Sequence, residues 1–319
     1  MASEFDYVNG AVSLLLSVGT AVVNIPLVIF LASTCKNDDD VIPVVMFSMT
    51  ISDLFVGTFA NIITAILAWA KPIVVPNALL VVQGSVFHAC TFISIWHLAL
   101  MSTFKCYIIS RPLTHSAVLT NRLRNVVVVA IWIINFVIVV VDNVFGVRWL
   151  LDPTMSSSVP TGNPAAAKGM RYFESGVMFV VPSVAILTAY LKILFIVRKH
   201  HRTIGQVTTD GLSLDTSPVA HVQGWSASIR SARSIFFICF AFYICYIPVQ
   251  FNNVGFLIPA WYQIGSKWLL YISYPMNGLL YILLYKSTRQ KFWRKLFRRA
   301  TVQNETSMHI QTINEHINV

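Results

Sequence analysis

The chain has 319 residues, of which 56% are hydrophobic and only 11% are charged. Soluble domains carry roughly 25% charged residues, so this composition excludes an ordinary soluble protein. Seven apolar stretches, each long enough to cross a bilayer as a helix, occupy most of the chain. The sequence therefore predicts an all-α membrane protein.

The seven stretches predict a bundle of seven transmembrane helices joined by polar connections. Continuous apolar runs such as 126–141 exclude a β-barrel, whose strands alternate apolar and polar residues. In chain order, the predicted spans cover about 11–33, 41–69, 76–110, 124–146, 171–199, 230–258 and 262–285. The predicted division of the chain is an extracellular N-terminus at 1–10, the bundle at 11–285, a segment at 286–299 that holds a short amphipathic membrane-surface helix, and a disordered cytoplasmic tail at 300–319.

The distribution of Lys and Arg predicts the orientation of the bundle. If the N-terminus is outside, the outer segments hold five of the 23 basic residues, and the inner segments with the inner helix ends hold the other 18. Cytoplasmic loops carry such an excess. The net charge of +10 therefore indicates an inner face that contacts anionic lipid and partner proteins, and no nucleic acid. We expect a multi-pass protein of the plasma membrane.

The cysteines and the remaining motifs argue against a disulfide framework and against catalysis. The five cysteines avoid the predicted outer loops and show no zinc spacing, so we expect reduced thiols. The chain shows no metal-ligand spacing, nucleophile elbow or phosphate-binding loop. We therefore expect no enzymatic activity and no cofactor, apart from the ion considered next.

Asp53 lies midway along the second predicted helix, where an ionisable group is costly and usually marks function. Polar residues at comparable depth are Asn24, Ser94, Ser273 and Asn277. Two readings stay open. In the first reading, Asp53 and Ser94, together with these neighbours and water, hold a small hard cation such as Na⁺. In the second, Asp53 is protonated and belongs to a packed hydrogen-bond network.

Other residues at predicted membrane depth also have two readings. Glu174 at the outer end of the fifth span and His88 in the outer half of the third are candidates for ligand contact. Alternatively, Glu174 is solvated at a helix N-terminus, where the helix dipole favours it, and His88 is structural. Prolines such as Pro182 and Pro248 are either hinges or packing irregularities, because proline removes a backbone donor.

Short motifs recur along the predicted helices, and the segment KFWRKLFRR at 291–299 follows the last of them. The motif residues are Asn24, Asp53, Trp132, Pro182, Tyr190, Phe242, Pro248, Asn277 and Tyr281. Together they resemble the rhodopsin-like (class A) G-protein-coupled receptors over about residues 11–299. The segment at 291–299 resembles the membrane-surface helix of that family, and Tyr246 stands where the sixth helix usually has tryptophan.

The resemblance implies a receptor with a small-molecule ligand outside and a heterotrimeric G protein inside. The implied sodium site comprises Asn24, Asp53, Ser94, Ser273 and Asn277. The residues implied in activation are Ile95, Pro182, Tyr190, Phe242, Pro248 and Tyr281. The candidate ligand contacts are Phe87, His88, Glu174, Tyr246, Gln250, Trp268 and Tyr271.

Trp268 and Tyr271 resemble the seventh helix of biogenic-amine receptors. Phe87, however, stands where those receptors have the aspartate that binds the ammonium group, so we do not expect ordinary amine binding. The resemblance would also place the retinal-binding lysine of an opsin at Tyr271, whereas Lys267 lies one helical turn away. A non-peptide ligand is favoured because the outer segments are short.

Two further departures from the family concern coupling and the entrance. Phe104, Lys105 and Cys106 replace the family's Asp-Arg-Tyr, so coupling to the G protein is altered or lost. Leu80 replaces the third-helix cysteine of the outer disulfide, so we expect a looser entrance. A non-signalling scaffold or heteromer partner of the same fold therefore stays open. A transporter or channel is a weaker alternative, because the chain shows no internal repeat.

Overall fold

The computed structural model describes residues 4–35, 41–70, 76–145, 147–152, 156–162, 164–209, 218–253, 259–285 and 288–294. Seven long helices form one bundle, as the sequence predicts. In chain order, they are the first helix Glu4–Thr34, the second Val41–Trp69, the third Asn77–Ser110, the fourth Asn121–Val144, the fifth 164–209, the sixth Pro218–Asn253 and the seventh Ala260–Leu284. We call the end of the bundle that holds the start of the first helix the outer end, following the predicted orientation.

Six of the seven helices are long and apolar enough to cross a membrane by composition alone. The seventh has 25 residues, which span about 37 Å. Its tyrosines, serines and asparagine make it more polar than the others. These polar residues lie mostly on its buried side, where it packs against the first and sixth helices.

Helix ends differ from the predicted spans at two places. The first helix begins at Glu4, within the segment predicted as the extracellular terminus. The fifth begins at Pro164, because proline is preorganised for a first helical position and three alanines follow it. Glu174 therefore starts a π-helical turn, Glu174–Val180, inside a continuous helix. Its expected place at a helix N-terminus is wrong.

The first helix has the polarity expected of a membrane helix. Leu15 and Val22 are 70% and 67% exposed, and face outward from the bundle. The side facing the bundle carries polar residues at spacings of three and four: Asn9, Ser13, Ser17, Thr20 and Asn24. Lipid accepts the apolar face, whereas polar groups need partners inside the bundle. Ser17 Oγ, for example, donates to the Thr58 carbonyl of the second helix at 3.3 Å.

Smaller elements occupy both ends of the bundle. Strands β1, Val147–Asp152, and β2, Ser157–Gly162, form an antiparallel hairpin between the fourth and fifth helices. This hairpin is not predicted by the sequence pattern. A short helix, His115–Val118, lies in the connection between the third and fourth helices. Residues 288–294 are helical, in line with the predicted membrane-surface helix. The rest of that helix and the predicted tail lie outside the described residues.

Candidate functional site

A buried carboxylate links three helices at the centre of the bundle. Asp53 of the second helix is 1% exposed. Its Oδ1 accepts a hydrogen bond from Ser94 Oγ of the third helix at 2.6 Å, and its Oδ2 accepts one from Asn277 Nδ2 of the seventh helix at 3.0 Å. Ser52 Oγ lies 2.8 Å from Ser94 Oγ. We call Ser52, Asp53, Ser94 and Asn277 the Asp53 cluster.

Two residues of the predicted sodium site form their hydrogen bonds elsewhere. Ser273 is buried, and its hydroxyl donates to the Leu270 carbonyl of its own helix at 2.6 Å. Asn24 Nδ2 donates to the Tyr274 carbonyl at 3.2 Å, while Asn24 Oδ1 is buried without a hydrogen-bond partner. A Cβ at Gly278 would overlap Asn24 Oδ1. Glycine at this position therefore lets the first and seventh helices approach closely.

The Asp53 cluster has the donor chemistry of a site for a hard monovalent cation. Each carboxylate oxygen of Asp53 accepts one hydrogen bond and keeps a lone pair. The Ser94 hydroxyl lies beside the carboxylate, and the Ser52 hydroxyl lies 2.8 Å from that of Ser94. Oxygen ligands of this kind suit hard cations. Among the described residues, no three His, Cys, Asp or Glu side chains come together, so the arrangement does not fit a transition metal.

Aromatic side chains line the outer half of the bundle. The Phe87 ring lies 6.1 Å from the Tyr271 ring and 5.6 Å from the His88 ring, and the His88 ring lies 4.9 Å from the indole of Trp149. We call Phe87, His88, Trp149 and Tyr271 the outer aromatic site. It joins the third helix to the seventh helix and to the hairpin.

The remaining predicted ligand contacts are dispersed. Tyr246 packs against the rings of Phe179 and Phe242 at 5.2 and 5.5 Å. Gln250 Oε1 accepts from Ser175 Oγ at 3.5 Å. Trp268 Nε1 donates to Asn9 Oδ1 of the first helix at 3.0 Å, so this indole contacts the first helix. The side chain of Glu174 lies outside the described residues.

Trp149 of β1 attaches the hairpin to the third helix. Its indole is 2% exposed and packs in an apolar cluster with Ile63, Leu67 and Leu80. Its Nε1 donates to Asn143 Oδ1 at 2.9 Å. A Cβ at Gly84 would overlap the indole. The entrance therefore has an anchor at Leu80 and Gly84. Leu80 is the position at which the resemblance implies a disulfide cysteine, and its replacement led us to expect a looser entrance.

Polar residues near the outer aromatic site were also missed. Thr64 Oγ1 lies 3.3 Å from the Tyr271 hydroxyl and accepts from Gln83 Nε2 at 3.0 Å. Their signal in the sequence is the same as that of Asp53, namely polar side chains at membrane depth. Trp149 is the lone tryptophan of the predicted outer loop. That isolated aromatic residue is the sequence signal by which its role could have been found.

The residues implied in activation occupy the core. Ile95 and Phe242 are fully buried in one apolar cluster, and Pro182 is buried on the fifth helix. The Pro248 carbonyl accepts from the Tyr262 hydroxyl at 3.1 Å, which links the sixth helix to the seventh beside the proline. Two tyrosines make ring contacts: Tyr190 lies 5.1 Å from Phe236, and Tyr281 lies 4.6 Å from Tyr285.

The inner end of the third helix is buried. Phe104, Lys105 and Cys106 are all shielded from solvent, and Cys106 Sγ lies 3.9 Å from Ser110 Oγ. The neighbouring sixth and seventh helices are joined by Ser231 Oγ, which donates to the Tyr285 hydroxyl at 3.0 Å. All five cysteines are free thiols, four of them buried.

The described residues form a seven-helix membrane bundle with a polar centre and an aromatic outer site. The sequence model that describes the family of seven-transmembrane receptors (rhodopsin family) matches residues 23–281 of the chain. The chain therefore belongs to this family. The predictions of the family, the seven-helix fold and a multi-pass membrane protein are therefore confirmed. As a member of a receptor family, the protein is also not an enzyme.

Similar proteins include named amine receptors. The chain is 21% identical over 233 residues to trace amine-associated receptor 7d of Mus musculus, covering 69% of this chain and 64% of that receptor. It is 25% identical over 147 residues to 5-hydroxytryptamine receptor 4 of Homo sapiens, covering 41% and 38%. Both alignments span less than two thirds of the relative. Squid rhodopsin has the same fold, with a TM-score of 0.78, 14% identity, and coverage of 93% of this chain and 87% of that one.

Proposed function

We propose that this protein is a receptor that transmits an extracellular small-molecule signal to a heterotrimeric G protein. The supporting observation is the Asp53 cluster, in which one buried acid is hydrogen-bonded to both the third and the seventh helix. Such a network couples helix positions, because moving one helix breaks bonds that are strong in a low dielectric. A ligand that favours one arrangement of the helices would shift the equilibrium between closed and open bundles.

We propose that Na⁺ acts as an allosteric ion at the Asp53 cluster. Asp53 and Ser94 would hold the ion, with Asn24, Ser273 and Asn277 at the border of the site. The bound ion would supply a positive charge that offsets the buried carboxylate. The support is the oxygen-rich donor set and the unpartnered Asn24 Oδ1.

The ligand we propose is not a simple monoamine. The names of the relatives refer to amines, but this chain has Phe87 where an acid is needed to bind an ammonium group. A hydrogen bond to a buried charged group contributes about 1.5–3 kcal/mol, or roughly 10- to 150-fold in affinity. If a monoamine nevertheless activates the protein, Glu174 is the acidic partner expected from the sequence, and Asp152 of the hairpin is a second acid near the outer aromatic site. With Glu174 as the partner, Glu174→Gln should abolish the response while Phe87→Asp strengthens it. A potent response that survives Glu174→Gln would contradict both statements.

We place the protein in the plasma membrane with the N-terminus outside and the C-terminus in the cytoplasm. The support is the excess of basic residues on the inner side, which also favours contact with anionic lipid. On this inner face, Phe104, Lys105 and Cys106 would meet the G protein. Lysine keeps the positive charge of the family's arginine but lacks its planar, five-donor fork.

The test is a ligand-panel screen with a promiscuous G protein, measured as G-protein dissociation in cells, with ligand binding recorded separately. A receptor predicts compounds that both bind and dissociate the G protein. Asp53→Asn should change the size of this response at equal surface expression. Thr188→Ala, at an exposed position on the fifth helix, serves as the control and should leave the response unchanged.

One observation favours a second candidate, a non-signalling scaffold or heteromer partner. Phe104, Lys105 and Cys106 are buried at the inner end of the third helix, so none of the three is presented to a partner in this arrangement. Compounds that bind without dissociating any G protein would support this second candidate and contradict the first.

A further inference from the structure

A buried cation lies beside the outer aromatic site. Lys267 of the seventh helix is only 6% exposed, and its Nζ lies 5.4 Å from the centre of the Tyr271 ring. It is seven residues from the start of its helix, which corresponds to about 10 Å below the outer end. Burial of an ammonium group at this depth is costly unless opposite charge and hydrogen bonds compensate it.

The surroundings of Lys267 combine aromatic surface with one acid from the hairpin. The row of rings in the outer aromatic site runs from Tyr271 through Phe87 and His88 to Trp149. Asp152, the last residue of β1, is half-buried and interacts electrostatically with Lys267. The cation is thus fixed on a helix, whereas its acidic neighbour belongs to a hairpin at the entrance.

The positive charge of Lys267 is opposite in sign to the negative charge that binding of a cationic amine requires. Phe87 leaves the third helix uncharged where an amine would be bound. The Lys267 ammonium repels a ligand cation and attracts a ligand anion. In a low dielectric, a charge-assisted hydrogen bond from this ammonium to a carboxylate is roughly twice as strong as a neutral one.

We propose that Lys267 binds the carboxylate of a small aromatic acid, whose ring packs against Phe87 and Tyr271 while Asp152 gives up its place as counter-charge. The proposal deepens the proposed function, since it names the ligand class of the same receptor. Aromatic pairing adds to the affinity because edge-to-face rings at 4.5–7 Å attract one another. No covalent step is involved.

The test uses matched probes on the full chain in lipid nanodiscs. Phenylacetate, 3-phenylpropionate and indole-3-acetate are each compared with the amine that carries the same ring: phenethylamine, 3-phenylpropylamine and tryptamine. Binding is measured as the ligand-dependent rise in melting temperature. We expect at least one acid to stabilise the protein and its matched amine to have no effect.

Three substitutions assign the effect to the proposed contact. Lys267→Gln should weaken binding of that acid by 10-fold or more, and Lys267→Arg should retain most of it. Asp152→Asn should leave the affinity unchanged or raise it, because a competing carboxylate is removed. Lys192→Gln removes a lysine that is exposed on the fifth helix and serves as the matched control.

Several outcomes would overturn the proposal. They are stabilisation by none of the acids, equal stabilisation by the amines, or an acid effect that persists in Lys267→Gln. If Lys267→Gln fails to fold, the preference of the parent protein for acids over amines and the Asp152→Asn result decide. None of these measurements includes a G protein. If an aromatic acid binds but no G protein is activated, this inference stands and the proposed function fails. If a ligand of another class activates a G protein, the proposed function stands and this inference fails.

Discussion

Replacing Gly84 with alanine should dislodge the Trp149 indole from the third helix, because the added methyl group would overlap that ring. Overpacking of this kind costs about 1–3 kcal/mol. Trp149→Ala should cost more, about 3–5 kcal/mol, because a buried tryptophan loses its packing and Asn143 Oδ1 loses its donor. For a protein of this size, each kcal/mol lost from the free energy of unfolding lowers the melting temperature by no more than about 2–4 °C.

The double variant gives the sharpest result. Once Trp149 is alanine, the methyl group of Gly84→Ala has no indole to displace. A glycine in a helix interior is less stable than alanine by roughly 0.5–1 kcal/mol, so the effect of Gly84→Ala should change sign in the Trp149→Ala background. The two substitutions are then strongly non-additive, as expected for residues in contact.

A thiol-reactive dye measures these melting temperatures, since four buried cysteines become accessible on unfolding. Gly19→Ala is the matched control, because a Cβ at Gly19 meets no atom within 4 Å and should be neutral or slightly stabilising. The contact between Gly84 and Trp149 is refuted as the cause if Gly84→Ala behaves like Gly19→Ala, or if the effects of Gly84→Ala and Trp149→Ala simply add.

The Asp53 cluster, the inner end and the charge distribution each give one further prediction. Asp53→Asn should abolish any rise in melting temperature or agonist affinity caused by Na⁺, with Asp152→Asn as the carboxylate control; a parent protein that is insensitive to Na⁺ would contradict the ion site. Phe104→Asp with Lys105→Arg should raise or normalise coupling at equal surface expression in a G-protein dissociation assay, and unchanged basal and stimulated coupling would count against this view of the inner end. Epitope tags at both termini should be stained on intact cells only at the N-terminus, and a C-terminal tag visible without permeabilisation would reverse the topology.

Much of the bundle could be predicted from the sequence because membrane helices follow from length and hydropathy. The contact of Asp53 with Ser94 and Asn277 could also be expected, since buried polar groups in lipid must find one another. Ser273 shows the limit of that argument. Its hydroxyl bonds to a carbonyl of its own helix, an option open to any serine in a helix and invisible in the spacing.

The outer half of the molecule was harder to predict because it depends on packing between distant segments. Trp268 and Tyr271 are three residues apart, yet one indole bonds to the first helix and the other ring faces the third. The two side chains point in directions about 60° apart around the helix axis, which is enough for each to contact a different neighbouring helix. The place of Trp149 against Gly84 is likewise set by the fold of the hairpin, which no local pattern indicates.

The central proposal is tested most directly by nucleotide exchange on a purified heterotrimeric G protein, with the receptor in lipid nanodiscs. A compound that raises the melting temperature of the protein should accelerate GTP-analogue binding to the G protein, and Lys105→Ala should reduce that acceleration without changing compound binding. If compounds bind the folded protein and none accelerates exchange above that of empty nanodiscs, the protein is not a G-protein-coupled receptor in function.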